Sequence, residues 1–118
     1  MCGVIGYIGK KQAYPILIEG LHKLEYKGYD SAGIAVQGPD RLKIVKTKGK
    51  VSSLEEKTRE KPPKGCAGFG HLRWATHGAP SENNAHPQRA CSDDFALVHN
   101  GIIENYLPLR RWLESKGH

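Results

Sequence analysis

The residue best suited to chemistry is Cys2, which directly follows the initiator methionine. Removal of Met1 leaves a cysteine that carries a thiol and a free α-amine on one carbon, and both groups ordinarily titrate at about pH 8. Such a cysteine can attack a carbonyl carbon while its own amine acts as general base. On Cys2 alone the simpler interpretation is favoured, a small apolar residue that opens a strand, because free cysteines are often buried.

The stretch 70–78 carries polar groups that could bind a substrate. Arg73 offers a planar fork of N–H donors that suits a carboxylate. Thr76 and His77 add short polar contacts beside it. The alternatives are a surface cation for Arg73 and a core filler for Trp74.

Asn100 and Gly101 follow a short apolar run and form the other polar motif. An asparagine amide and the backbone N–H of the next glycine can both donate to one oxygen, as in an oxyanion hole. Asn-Gly between apolar runs is also the commonest signal of a type I′ hairpin. The spacing alone favours the hairpin.

Several stretches, in family order along the whole chain, resemble the glucosamine-6-phosphate synthase family of N-terminal-cysteine glutamine amidotransferases. The opening Cys-Gly and the Asn-Gly are shared by the wider group of such amidotransferases. The Tyr-Asp-Ser-Ala-Gly and Arg-Trp-Ala-Thr-His-Gly motifs point to the synthases. The resembling stretches are 2–9, 24–35, 73–78, 84–87 and 99–106.

The resemblance implies a reaction at Cys2, which would attack the side-chain amide of glutamine. Asn100 and Gly101 would hold the oxyanion, and Arg73 would bind the α-carboxylate of glutamine. The products would be glutamate and ammonia, formed without a cofactor. In the full enzyme a second, sugar-isomerising domain would use this ammonia to convert fructose 6-phosphate to glucosamine 6-phosphate.

The resemblance also assigns the residues that follow Arg73. Thr76 and His77 would help to hold the amino-acid end of glutamine. Trp74 would belong to a loop that closes over the site and gates ammonia transfer. The full-length parent is expected to be a homo-oligomer.

The chain departs from the family pattern at Lys27, where arginine is usual, and at Leu72, where threonine is common. A Thr-Asp-Thr-Glu segment, whose aspartate takes the glutamine ammonium, follows in the family beyond the position of His118. Residues 1–118 are therefore expected to be a partial type 2 amidotransferase domain. By itself this piece is expected to have little or no glutaminase activity.

The elements that must position these residues alternate between strands and helices, which predicts an α+β domain. The resemblance specifies it as the N-terminal portion of the four-layer α/β/β/α sandwich of N-terminal-nucleophile hydrolases. Ser52 with Glu55 predicts a capping box, and Asn105 a helix cap. In the last helix Leu109, Trp112 and Leu113 are expected to face inward. Strands are predicted over 2–9, 32–37, 42–47, 66–73 and 95–98, and helices over 13–28, 52–61 and 105–117, with a long loop over 74–93.

The composition limits the other classes of function. A net charge of +6 invites nucleic-acid binding, but the basic residues are spread along the chain, and none is expected. No apolar run approaches the roughly 20 residues of a membrane span. Three cysteines without a secretory segment favour a reducing, cytoplasmic setting. A metal site using Cys2, Cys66 and Cys91 has poor ligand spacing, and an inactive binding or structural role is the other alternative.

Overall fold

A four-stranded antiparallel sheet organises the structure, a computed structural model that describes residues 2–74 and 78–118. Its spatial order is β1-β4-β2-β3, so the first and fourth strands are neighbours in the interior of the sequence pairing. A separate two-stranded ribbon is formed by β5 and β6. The strands are β1 (Gly3–Ile8), β2 (Ser31–Gln37), β3 (Leu42–Lys48), β4 (Ala67–Arg73), β5 (Gln88–Arg89) and β6 (Ala96–Leu97).

Helices α1 (Ala13–Leu24) and α2 (Val51–Thr58) supply the apolar partners of the sheet. Apolar residues at helical spacing in α1, such as Leu17 and Leu21, are fully buried. They form one core with alternate residues of β2 and with Leu72 of β4. A 3₁₀ turn over Glu25–Lys27 extends α1, so the predicted helix to Gly28 ends in a tighter turn. A third helix, α3, spans Tyr106–Ser115.

Strand β2 is buried on both faces, and this creates the second face on which a site can form. Ala32 pairs with Leu72 on the helix side, whereas Gly33 pairs with His71 on the other side. A Cβ atom at Gly33 would overlap the carbonyl oxygen of His86. The chain around His86 therefore covers the face of the sheet that α1 and α2 leave open.

The predicted capping box at Ser52 is wrong. Helix α2 begins at Val51, its N-cap is Lys50, and no side chain of the cap residue bonds the helix end. Instead, the backbone N–H of Val51 donates to Glu25 Oε1 at 2.9 Å. A carboxylate from the 3₁₀ turn thus satisfies the first turn of α2 and ties the two helical segments together.

Helix α3 forms where predicted, but its apolar side does not face inward. Leu109, Trp112 and Leu113 are 42%, 58% and 41% exposed, and Asn105 occupies the N-cap without a side-chain capping bond. The periodicity of a helix shows that one side is apolar, whereas burial needs a partner surface. No such surface covers α3 among residues 2–74 and 78–118.

Candidate active site

A pocket of about 230 Å³ opens on the face of the sheet opposite α1 and α2. It gathers most of the residues that the sequence predicted, namely Cys2, Arg73, Trp74, Asn100 and Gly101. Thr76 and His77 lie outside the described residues. The full lining is Cys2, His71, Arg73, Trp74, Asn84, His86, Gln88, His99, Asn100 and Gly101.

The alternation of strand β4 explains how the sheet supplies this pocket. Leu72 points into the helix-side core, so His71 and Arg73 share the opposite face. β1 is the antiparallel neighbour of β4 and pairs Gly3 with Leu72. This register brings Cys2, which precedes Gly3, next to the end of β4.

Cys2 is held by the backbone of Trp74. The N–H of Trp74 donates to Cys2 Sγ at 3.3 Å, and the thiol lies 3.5 Å from the Trp74 carbonyl oxygen as a donor. Cys2 is half-buried, and the Trp74 side chain is 50% exposed. The alternative of Trp74 as a core filler is therefore wrong. The thiol is positioned by chain segments that are far apart in sequence.

Gly28 supports the indole ring of Trp74. Gly28 has φ = 111°, a conformation that favours glycine, and a Cβ atom there would overlap the Trp74 ring. The ring thus lies directly against the backbone that follows the 3₁₀ turn. Because the Trp74 backbone also contacts Cys2, the turn and the thiol are mechanically connected through a single residue.

We expect Gly28→Ala to displace the Trp74 indole and to disturb Cys2. Both the positive φ and the missing space oppose the added methyl group. The measurement is the rate of Cys2 alkylation by a neutral thiol reagent, followed by peptide mass spectrometry. Gly117→Ala is the matched control, because Gly117 also has positive φ but has no atom within 4 Å of its Cβ position. Equal Cys2 reactivity in both variants would contradict the connection.

Arg73 is buried, at 7% exposure, so the alternative of a surface cation is wrong. Its guanidinium donates to the carbonyl oxygens of Gly78 at 3.0 Å and Ala79 at 3.3 Å. The carboxylate of Asp30 lies 3.8 Å from Nη1, and the Asp30 N–H donates to the Arg73 carbonyl oxygen at 2.9 Å. Ser31 Oγ in turn donates to Asp30 Oδ1. Arg73 therefore places a buried positive charge at the pocket and holds the chain at residues 78–79.

Asn100 does not occupy a hairpin turn. Strand β6 ends at Leu97, and no strand follows Gly101 among the described residues. Instead, Asn100 Oδ1 lies 2.6 Å from Nε2 of His71. The type I′ interpretation is therefore wrong, and the Asn100 amide belongs to the pocket.

Sequence reasoning assigned no role to two histidines, His71 and His86. Their rings stack at 4.6 Å between centroids with a 38° tilt. Burial lowers the pKa of His71, opposed by the Asn100 hydrogen bond. Burial, followed by the charges of His71 and Arg73, lowers the pKa of His86 to about 4. The signal for His71 was its position two residues before Arg73 on one strand, which places both side chains on one face.

No family model matches the chain. Curated proteins give a different result. The chain is 55% identical over 118 residues to glutamine–fructose-6-phosphate aminotransferase (isomerizing) of Clostridium acetobutylicum, covering 100% of this chain and 19% of that protein. The values are 54% and 20% for the Thermus thermophilus protein, and 56% over 119 aligned residues and 19% for the Bacteroides thetaiotaomicron protein.

The whole chain is therefore similar to the N-terminal fifth of the glutamine–fructose-6-phosphate aminotransferases.

Solved structures confirm the predicted fold. The chain matches glutamine phosphoribosylpyrophosphate amidotransferase from B. subtilis, complexed with ADP and GMP, with a TM-score of 0.80 at 30% identity. It matches a structure described as the allosteric regulatory enzyme of purine biosynthesis with a TM-score of 0.82 at 30% identity. Each match covers 100% of this chain and 26% of the other. The fold is the α+β fold of N-terminal-nucleophile glutamine amidotransferases.

One departure from the aminotransferase pattern lies outside the pocket. Leu72 is fully buried in the core between the sheet and the helices and does not line the site. A leucine on that side of β4 changes the packing of the core. The faces of the strand keep the two functions apart, since His71 and Arg73 remain on the pocket side.

The alternative metal site is not supported by the cysteine positions. Cys66 and Cys91 are exposed and do not line the pocket that contains Cys2. Within residues 2–74 and 78–118, no group of three or more His, Cys, Asp or Glu side chains could hold a metal ion. No helix in that part of the chain is long and apolar enough to cross a membrane.

We expect stability to fall with pH between about 6.5 and 4 because of His86. The unfolded chain takes up a proton near the ordinary histidine pKa of about 6.5, whereas folded His86 takes it up only near pH 4. Its neutral form is thus required for folding, and the stability present above pH 6.5 is lost on acidification. Melting temperatures measured across this range should fall less steeply in His86→Gln than in the parent chain.

His22 is the internal contrast for this measurement. Its hydrogen bond to Glu55 at 2.8 Å raises its pKa, opposed by burial and aided by Glu25. This contribution is fully present below pH 6.5 and is lost as pH rises through the folded pKa, so His22→Gln should steepen the acid-side decline. Parallel melting curves for the parent and His86→Gln would contradict the role of His86.

Proposed function

We propose that this chain is the N-terminal part of a glutaminase domain in which Cys2 releases ammonia from glutamine. The observation that carries the proposal is the convergence of Cys2, Arg73, Asn100 and Gly101 on one pocket. The β1–β4 pairing brings Cys2 to Arg73, and the His71 contact brings in Asn100. Similarity to glutamine-dependent aminotransferases over the whole chain supports the same reaction.

The proposed reaction begins with attack of the Cys2 sulfur on the side-chain amide carbon of glutamine. The Cys2 α-amine, free after removal of Met1, accepts the thiol proton and passes it to the leaving nitrogen. The Asn100 amide and the Gly101 N–H donate to the oxygen that becomes negatively charged. Breakage of the C–N bond releases ammonia and leaves a thioester, which water hydrolyses to glutamate and the free thiol.

The remaining pocket residues would orient the substrate. Arg73 supplies a positive charge for the α-carboxylate of glutamine, and its burial strengthens that attraction. Trp74 is exposed beside the thiol, where it could cover bound glutamine. Thr76 and His77 would complete the amino-acid site from the segment that links Trp74 to Gly78.

The acceptor of the ammonia in the whole protein is proposed to be fructose 6-phosphate. The chain spans about a fifth of the length of the aminotransferases it matches. It is 55% identical to one of these and 30% identical to a phosphoribosylpyrophosphate amidotransferase, which favours the sugar-phosphate acceptor. Residues 1–118 would thus be a partial domain of a cytoplasmic, homo-oligomeric enzyme.

The activity is best tested in a full-length chimera. In it, this chain replaces the corresponding N-terminal part of the Clostridium acetobutylicum relative, to which it aligns over 118 residues. The mass of the N-terminal peptide reports whether Met1 is removed. Retention of Met1 blocks the amine and would contradict the proposed proton transfer.

We expect a diazoketone analogue of glutamine to alkylate Cys2 in this chimera. The analogue places its electrophilic carbon where the amide of glutamine is attacked, so only a thiol in the glutamine site should react rapidly. Peptide mass spectrometry locates the label, and excess glutamine should protect Cys2. Cys66 and Cys91 are internal controls, because both are exposed yet lie outside the pocket. A label found mainly on Cys66 would overturn the assignment of Cys2.

A further inference from the structure

His71 makes the one side-chain hydrogen bond described for Asn100, at 2.6 Å between Nε2 and Oδ1. The two residues differ sharply in their surroundings. His71 is 1% exposed and lies on the central part of the sheet, next to Gly33 of β2. Asn100 belongs to an exposed segment. The contact therefore joins a rigid residue to one whose amide could otherwise rotate.

The surroundings of the His71 ring decide which atom carries the proton. Nδ1 is buried and has no hydrogen-bond partner among the described residues. A proton on Nδ1 would be a buried donor without an acceptor, which is costly, whereas a proton on Nε2 is satisfied by Asn100 Oδ1. Burial also lowers the pKa of His71 and favours the neutral ring. The neutral Nε2–H form is the one that satisfies this site.

The donor role of Nε2 fixes the direction of the Asn100 amide. If the ring nitrogen donates, the amide must offer its oxygen to His71, and its NH₂ group is left to donate elsewhere. A flipped amide would place two N–H donors against each other at His71. It would also present an oxygen, rather than a donor, to an oxyanion formed at the pocket.

We propose that His71 is a positioning residue that holds the Asn100 amide with its oxygen engaged and its NH₂ group directed at the oxyanion. This role rests on the proposed function, since it needs Asn100 to be an oxyanion donor. Stacking against His86 restrains the His71 ring. The backbone of His86 in turn lies against Gly33, where a Cβ atom would clash with its carbonyl oxygen.

The test is a double-mutant cycle in the full-length chimera. His71→Leu should lower kcat for glutamine hydrolysis by roughly tenfold, the worth of one well-placed hydrogen bond, with a smaller change in KM. In an Asn100→Ala background the same change should cost no more than about twofold, because two residues that act through one contact are not additive. His71→Gln should recover part of kcat, since its side-chain amide can donate to Asn100.

Each outcome of the cycle decides a different question. Equal losses from His71→Leu in both backgrounds would show that His71 does not act through Asn100 and would overturn this inference alone. An unchanged kcat in Asn100→Ala would instead remove the oxyanion role and with it the proposed function. If His71→Leu fails to fold, His71→Gln and ring-¹⁵N NMR of histidine-labelled chain decide. A protonated Nδ1 would overturn the inference.

Discussion

Replacing Cys2 by alanine in the full-length chimera is expected to abolish glutamine hydrolysis while leaving glutamine binding largely intact. The thiol is the sole covalent centre of the proposed reaction, so nothing else in the pocket can form the thioester. Binding depends on other groups, above all the buried charge of Arg73. Glutamate release measures the first effect, and calorimetric titration with glutamine measures the second.

The matched controls for Cys2→Ala are Cys66→Ala and Cys91→Ala. Both residues are exposed and outside the pocket, and Cys66 has only a long contact of 3.9 Å to the Lys10 carbonyl oxygen. Both variants should hydrolyse glutamine at rates close to that of the parent. A Cys2→Ala enzyme that still turns over glutamine, or a Cys66→Ala enzyme that does not, would refute the nucleophile assignment.

Much of the fold follows from local pattern. The strands and the first two helices lie close to their predicted bounds because their periodicities are clear and their partners are near. The site residues Cys2 and Arg73 were found by their chemistry and by the family resemblance. The sheet register that unites them is a long-range property, and only the structure reveals it.

The features that sequence reasoning missed depend on contacts between distant parts of the chain. The capping partner of α2 is Glu25, a residue of the preceding 3₁₀ turn, and no spacing rule within α2 indicates it. His71 has the right face by alternation, but its partner Asn100 lies in a different segment. Helix α3 shows the converse limit, since its pattern gives an apolar side without giving a partner to cover it.

Replacing Asn100 by alanine is expected to lower kcat by about 10² to 10³, equivalent to roughly 3–4 kcal/mol, with a smaller effect on KM. The amide oxygen of glutamine is nearly neutral in the ground state and becomes charged in the tetrahedral intermediate. A donor at that position therefore contributes more to the transition state than to substrate binding. Steady-state kinetics of glutamate release in the full-length chimera give both parameters.

Asn100→Asp is the variant that separates a donor from a scaffold. Aspartate has nearly the shape of asparagine and keeps an oxygen for His71 Nε2–H, so the contact at 2.6 Å can persist. It lacks the NH₂ group, however, and its charge opposes that of the oxyanion. If Asn100 acts as the oxyanion donor, Asn100→Asp should lose at least as much kcat as Asn100→Ala despite the retained hydrogen bond. Asn100→Asp with near-parental kcat would show instead that Asn100 serves only to anchor its segment to His71.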